Sequence, residues 1–477
     1  MPRAFRQTIR MIFPVAALVW LGGCSFSLPQ LAETPVAGTP AAKTKEQPAK
    51  SAAAPAKACN AEDPEDLARF PQTIDPYLVN IRERSEIVPA QRRYRDEYYR
   101  VWADGYVPEP LKKVKWPFDV YTAEDAYGEN LRPLPQAWFK KMAAEANWER
   151  YNGVAKAAIA LRRLDLRNFP TAKPLFHNPC EAGEGFPFDY LQNSTVFANE
   201  PLYLSHYSKS GAWAYVLTSY ATGWVPADRI ALIDEAQQAF WQDRALLALL
   251  EDETPMHTSK NDYLFEGSVG MLLPVQGLTK TGFEADVAIE QGVRKSRLIR
   301  IPVPEKQAAE APMRFNRANV RRVISPMLQT KYGWGGLYGD RDCSSTLRDI
   351  FAPFGVWLPR NSYQQAGIGR IVSLEGLDDK AKRSKIIKEA RPFETLLYLK
   401  GHILLYLGLY KGEPAVLHTV WGVKTVESNG DFGRYIVGKT VISSLRVGYE
   451  VDGYREENSL LRKIESMNFV LEPGSER

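Results

Sequence analysis

The sequence predicts an α+β protein of several modules, and three observations carry that prediction. After Cys343, Leu347, Ile350, Phe351 and Phe354 recur at i, i+3, i+4 and i+7 from Leu347, the stripe of a helix with one buried face. Downstream, Gly401–Gly408 and Ala415–Gly422 are two strand-like runs joined by Lys411-Gly412-Glu413-Pro414, which reads as a hairpin. Upstream, from about Gly185 to Ile233, short apolar runs alternate with turn residues at the spacing of a small barrel. At 477 residues, 45% hydrophobic and 11% aromatic, the chain has material for about three or four cored domains.

Taken in order, the first 23 residues read as targeting sequence. Arg3, Arg6 and Arg10 precede a short apolar core, Met11 to Leu21, and Leu21-Gly22-Gly23-Cys24 follows. That core is too short to span a bilayer permanently. Leu-Gly-Gly-Cys here resembles the lipobox of bacterial lipoproteins, which implies cleavage before Cys24 and a lipid anchor on it; Ser25 resembles the sorting signal for an outer membrane. Formal net charge is +5, but without those three arginines the balance is 58 basic to 56 acidic residues, which argues against a nucleic-acid footprint.

Residues 24–58, with five prolines among Ala, Thr and Lys, lack the apolar bulk to pack and read as a tether. Extended at about 3.1 Å per residue, it would reach on the order of 100 Å. Residues 59–180 carry helical patterns at Gln91 to Trp102 and Leu134 to Arg163 and no catalytic motif. Cys59 and Cys180 bracket that region, and an envelope location permits a disulfide between them. The first barrel, placed at 181–245, rests on Phe186 to Gln192, Trp213 to Val216 and Gly223-Trp224-Val225-Pro226 and looks like a bacterial SH3-like domain. A second such domain, placed at 246–305, rests on Gly270 to Pro274 and Ala285 to Ile289; a Pro-rich link leads to the last segment, 306–477.

That segment holds the candidate chemistry. Cys343 opens the apolar stripe of its helix, so it sits at a helix N-terminus, where unpaired amides and the dipole are expected to lower the thiol pKa. A thiolate nucleophile needs a base. Of five histidines, His177, His206 and His257 lie in contexts that favour a structural role, leaving His402 and His418 on the hairpin. Their separation is even, so any register pairing residues of even index sum puts both imidazoles on one face. His402 then takes the thiol proton and His418 orients it. Gly333, Gly335 and Gly336 make a poor nucleotide loop, lacking the Lys-Ser/Thr ending of a P-loop, and no G-x-S-x-G occurs.

Tyr332-Gly333-Trp334-Gly335-Gly336, Asp342-Cys343-Ser344, Leu358-Pro359-Arg360-Asn361-Ser362, and His402 with Tyr406 and Gly408 stand in the order found in the NlpC/p60 cysteine peptidases of bacterial cell walls, which roughly Met313 to Glu456 resembles. The resemblance implies a papain-like catalytic domain preceded by two SH3-like barrels and a mostly helical stabilising domain. It implies Cys343 as nucleophile, His402 as base and His418 as third polar residue. Tyr332 and the Cys343 amide would hold the oxyanion; Asp342, Ser344 and Ser362 would line the pocket. Relatives present a tyrosine from the first barrel, and Tyr220 is the candidate. Asn361 departs from the expected Asp.

The expected activity is hydrolysis of the bond between γ-D-glutamate and the diamino acid in peptidoglycan stem peptides, with preference for a free N-terminal L-Ala, no metal and no cofactor. The expected location is the bacterial envelope, anchored through Cys24 to the periplasmic face of the outer membrane. Two rival readings exist: a zinc hydrolase using Cys343, His402 and His418 as ligands, and a non-catalytic wall-binding lipoprotein.

Overall fold

The computed structural model describes residues 62–84 and 89–472. The leader, Cys24, the tether and Cys59 lie outside the described residues; Cys180, the expected partner of Cys59, is exposed.

The expected helices of the N-terminal region form in part. Gln91 to Trp102 falls in a helix, Pro89–Tyr98, and a 3-10 turn, Arg100–Trp102. The pattern from Leu134 to Arg163 breaks: a helix spans Gln136–Glu145, Asn147 and Asn152 turn the chain at φ 52° and 60°, and Lys156–Ala160 is a strand. Lys-Ala-Ala-Ile-Ala has helix-forming composition, but pairing with Pro201–Tyr207 on one side and Ile230–Leu232 on the other overrides that weak preference. The first barrel thus takes in Lys156–Ala160 and Leu164–Arg167, upstream of residue 181, in a seven-stranded sheet packed around Leu166, Leu202, Val216 and Val225. The second sheet, five strands from Leu246–Leu249 to Ala308–Ala311, contains both runs expected there.

The last module is a six-stranded antiparallel sheet ordered Arg370–Ser373, Ser466–Phe469, Thr395–Leu399, His402–Tyr410, Glu413–Val426 and Phe432–Ser443. The expected hairpin forms with a tighter turn: Lys411 and Gly412, at φ 50° and 82°, take the two positive-φ positions of a two-residue connection. Leu405 pairs with Leu417, an even index sum, as the common face of His402 and His418 requires.

The helix Cys343–Phe351 lies against this sheet, its stripe of Leu347, Ile350 and Phe351 buried with Ile403, Leu405, Leu417 and Ile442. Arg341, just before it, donates to both carboxylate oxygens of Asp252 in the second barrel (2.6 and 2.7 Å) and to Asp349 on the helix itself (2.7 Å). A buried guanidinium with two carboxylate partners fixes the helix start against the second barrel.

Candidate active site

Asp342 caps the helix that begins at Cys343. Its Oδ1 accepts from the Ser345 amide (2.9 Å), and its own amide donates to Ser345 Oγ (2.9 Å), closing a reciprocal cap. Cys343 is partly buried at the floor of a cleft of about 550 Å³. Tyr332, Asp342, Ser344, Ser362 and Tyr220, all singled out from sequence, line the same cleft, and Gly401, the residue before His402, reaches the lining. The amide of Ile403, next to His402, faces the Cys343 sulfur and favours its thiolate.

The two imidazoles form a relay. His402 Nε2 meets His418 Nδ1 at 2.9 Å, and His418 Nε2 meets Ser443 Oγ at 2.9 Å. Ser443 donates its hydroxyl proton to the Ser444 carbonyl (2.9 Å), so Ser443 Oγ accepts from His418 Nε2–H. In the neutral ring His418 Nδ1 is then the acceptor, and His402 donates from Nε2. The lone pair of His402 is left on Nδ1, the tautomer a general base needs.

Burial makes this relay neutral. It lowers the His402 pKa to about 4, against the opposing pull of Asp342, and holds His418 well below its ordinary value, with His402 adding to the effect. The expected lowering of the thiol pKa is not what the site produces. Burial pushes Cys343 up to about 12 and the neighbouring Asp342 carboxylate adds to it, outweighing the Ile403 amide, Arg360 and the Ser344 amide. A helix terminus contributes typically about 0.3–1 kcal/mol, too little to offset the desolvation of a thiolate. The resting pair is thiol and neutral imidazole.

Arg360 organises the cleft wall. It donates to Asp342 Oδ2 (2.6 Å) and Oδ1 (3.2 Å), to Ser344 Oγ (2.9 Å), and across the domain boundary to Ser194 Oγ of the first barrel (2.8 Å). Burial raises the Asp342 pKa, but the Arg360 guanidinium and the Ser345 bonds outweigh it and hold the carboxyl below its usual value. Asn361 caps the short helix Ser362–Gln365 through the Gln364 amide (2.9 Å), a role either Asn or Asp performs.

The glycine-rich run docks the site onto the first barrel. Gly335 and Gly336 have φ of 59° and 89°, and a Cβ would lie 2.5 Å from Gln192 O and 2.6 Å from Thr195 Oγ1. Trp334 Nε1 donates to Asp189 O (2.9 Å), between Phe188 and Tyr190. Tyr220 borders the cleft with its ring under the Arg348 guanidinium (3.9 Å), while its hydroxyl donates to Thr195 O (2.7 Å) beside Glu200 Oε2 (3.0 Å). The N-terminal module adds Tyr106, Glu109, Lys113, Trp116 and Tyr121 to the lining. His206, set aside from sequence, is buried and bonded to Ser205 Oγ and Ala146 O.

Sequence reasoning missed Ser443, Ser194 and the role of Arg360. Arg360 stood inside a quoted motif, whereas nothing local marks a strand serine such as Ser443. The donor set also bears on zinc: His418 spends Nδ1 on His402 and Nε2 on Ser443, leaving no lone pair for a metal. Among the described residues no group of three or more His, Cys, Asp or Glu is arranged to hold one.

Four family models match: the NlpC/P60 N-terminal stabilising domain at residues 17–151, an SH3 domain of the SH3b1 type at 174–226, one of the SH3b2 type at 234–280, and the NlpC/P60 family at 329–443. Among solved structures, the chain is similar to an NlpC/P60 endopeptidase from Photobacterium damselae subsp. piscicida, at 24% identity and a TM-score of 0.74 over 85% of this chain and 98% of that one. It also matches an NlpC/P60 family protein from Bacillus cereus ATCC 10987, at 13% identity and a TM-score of 0.42 over 66% of this chain and all of that one. No curated protein matches. Residues 329–443 thus match the NlpC/P60 family, a group of cysteine peptidases and hydrolases, and that family's N-terminal stabilising domain and two SH3 domains are matched before them.

Proposed function

We propose that this chain is a thiol endopeptidase that cuts peptidoglycan stem peptides between γ-D-glutamate and the diamino acid. The observation that carries the mechanism is the relay His402–His418–Ser443, which engages His402 through Nε2 and leaves the Nδ1 lone pair for the thiol proton of Cys343. As the sulfur attacks the scissile carbonyl carbon, His402 takes the thiol proton. The oxyanion is held by the Cys343 amide and the Tyr332 hydroxyl, which burial keeps protonated and able to donate. The imidazolium returns its proton to the leaving amine as the C–N bond breaks, and water, deprotonated by His402, then hydrolyses the thioester. Because burial favours the neutral thiol and the neutral imidazole, proton transfer to His402 accompanies attack.

The cleft is walled on one side by the first barrel and the N-terminal module, which supports a short acyl portion and hence a free N-terminal L-Ala. Its ammonium would meet Asp342 Oδ2, which accepts from Arg360 alone, whereas Oδ1 already serves Ser344, Ser345 and Arg360. Since Arg360 neutralises part of that charge, blocking the amine should lower kcat/KM by about tenfold or more. We further propose anchoring through Cys24 at the envelope, with the tether carrying the enzyme to the wall. Mass spectrometry of products from a free L-Ala-γ-D-Glu-diaminopimelate tripeptide and its N-acetylated form tests bond and preference together. Cleavage elsewhere overturns the bond assignment, and equal rates overturn the preference.

A further inference from the structure

The strand Phe432–Ser443 is an edge of its sheet, and an edge strand presents a row of outward N–H and C=O groups that must find partners. Here they are met one after another. The Gly438 carbonyl accepts from Tyr332 N (2.8 Å); Thr440 donates to Thr330 O and accepts from Gln329 N (both 2.9 Å). Beyond Thr440, among the described residues, the catalytic domain's own backbone supplies nothing more at this edge. The next outward pair belongs to Ile442, whose amide donates to Gln72 Oε1 (3.0 Å) and whose carbonyl accepts from Gln72 Nε2 (2.7 Å). A side-chain amide from 370 positions earlier in the chain takes the place of a peptide group on a neighbouring strand. The next outward amide, Ser444 N, donates to Asp66 Oδ2 (3.0 Å).

Gln72 is itself held. Its Nε2 also reaches Phe70 O (2.9 Å) and Leu67 O (3.1 Å), and its Oε1 accepts from Gln329 Nε2 (3.0 Å). Between the two residues pinned from outside, Ile442 and Ser444, sits Ser443, the terminal acceptor of the imidazole relay. Ser443 pairs with Val416 across the sheet and reaches His418 diagonally, a contact that tolerates little slippage of the strand end.

We infer that Gln72 is a positioning residue for catalysis: by closing the edge of the strand at Ile442 it holds Ser443 against His418, and so fixes the tautomer and orientation of His402. The N-terminal module then contributes to the chemistry as well as to stability. The inference rests on the reading of Cys343 and His402 as nucleophile and base.

The test uses the full-length protein with three variants, Gln72→Ala, Ser443→Ala and the double substitution, read by tripeptide kinetics and by alkylation of Cys343 with iodoacetamide across pH. Gln72→Ala is expected to lower kcat about tenfold with KM within twofold, and to change the pH dependence of alkylation as Ser443→Ala does. The double variant is expected to be no slower than either single one, because both break the same link. Gln72→Glu, which keeps the acceptor for Ile442 N–H and loses the donor, is expected to fall between, and it carries the comparison if Gln72→Ala does not fold. An unchanged kcat in a folded Gln72 variant, or losses that multiply to about a hundredfold in the double variant, overturns the inference. Full alkylation and activity that ignore Cys343→Ala would instead overturn the site reading, so the two failures are distinct.

Discussion

Replacing Arg360 by Ala removes the side chain through which the first barrel and the helix cap of Cys343 are joined. Arg360 is 7% exposed and donates four hydrogen bonds, two to Asp342, one to Ser344 and one to Ser194. Breaking a buried ion pair by deleting one partner typically costs about 3–5 kcal/mol, because the remaining charge stays desolvated. Asp342 keeps the Ser345 amide, Ser345 Oγ and Ser344 Oγ, so the low end, about 3 kcal/mol, is expected. The same change should raise the Asp342 pKa, since Arg360 is the largest influence opposing burial there. An unpaired carboxylate beside Cys343 disfavours any negative charge developing on sulfur, so kcat/KM should fall by two orders of magnitude or more. Arg360→Lys keeps the charge but loses the fork and should recover part of both. Urea unfolding monitored alongside tripeptide kinetics measures both effects. A loss under about 1 kcal/mol with kcat/KM unchanged would show that Arg360 only decorates the boundary, and would refute the reasoning.

Other outcomes follow from the same geometry. The acid limb of kcat/KM reports protonation of His402: its pKa is lowered to about 4, so activity should persist to near pH 5, and a limb centred at 6.5 would contradict the buried relay. Gly336→Ala places a Cβ 2.6 Å from Thr195 Oγ1 at φ +89° and should cost about 2 kcal/mol and displace Tyr332, whereas Gly376→Ala, also at positive φ but with nothing within 4 Å, isolates the strain from the clash. Cys24→Ala should move the protein from the membrane to the soluble fraction; retention in membranes would refute the lipid anchor.

The parts of this molecule written in local pattern were legible. The stripe Leu347, Ile350 and Phe351 sets the helix, and its phase puts Cys343 at the first turn. The even spacing of His402 and His418 put both on one face because the register obeys the same parity. What the sequence hid is long-range. No periodicity tells that Gln72 meets Ile442, that Arg341 meets Asp252, or that Ser443 ends the relay, since such pairs are set by tertiary packing between elements far apart in the chain. The thiol pKa failed for a related reason: the helix amides that favour a thiolate are visible in sequence, while the burial that defeats them exists only once the first barrel and the N-terminal module wall the cleft. The strand Lys156–Ala160 was obscured by a composition that favours helix.

The most direct test of the account is cleavage of the free L-Ala-γ-D-Glu-diaminopimelate tripeptide by the wild type and Cys343→Ala, with wild type also treated with iodoacetamide and, separately, with a chelator. The account predicts L-Ala-D-Glu and diaminopimelate from the wild type, no turnover by Cys343→Ala, loss on alkylation and no effect of the chelator. Turnover by Cys343→Ala, or inhibition by the chelator but not by iodoacetamide, would contradict it.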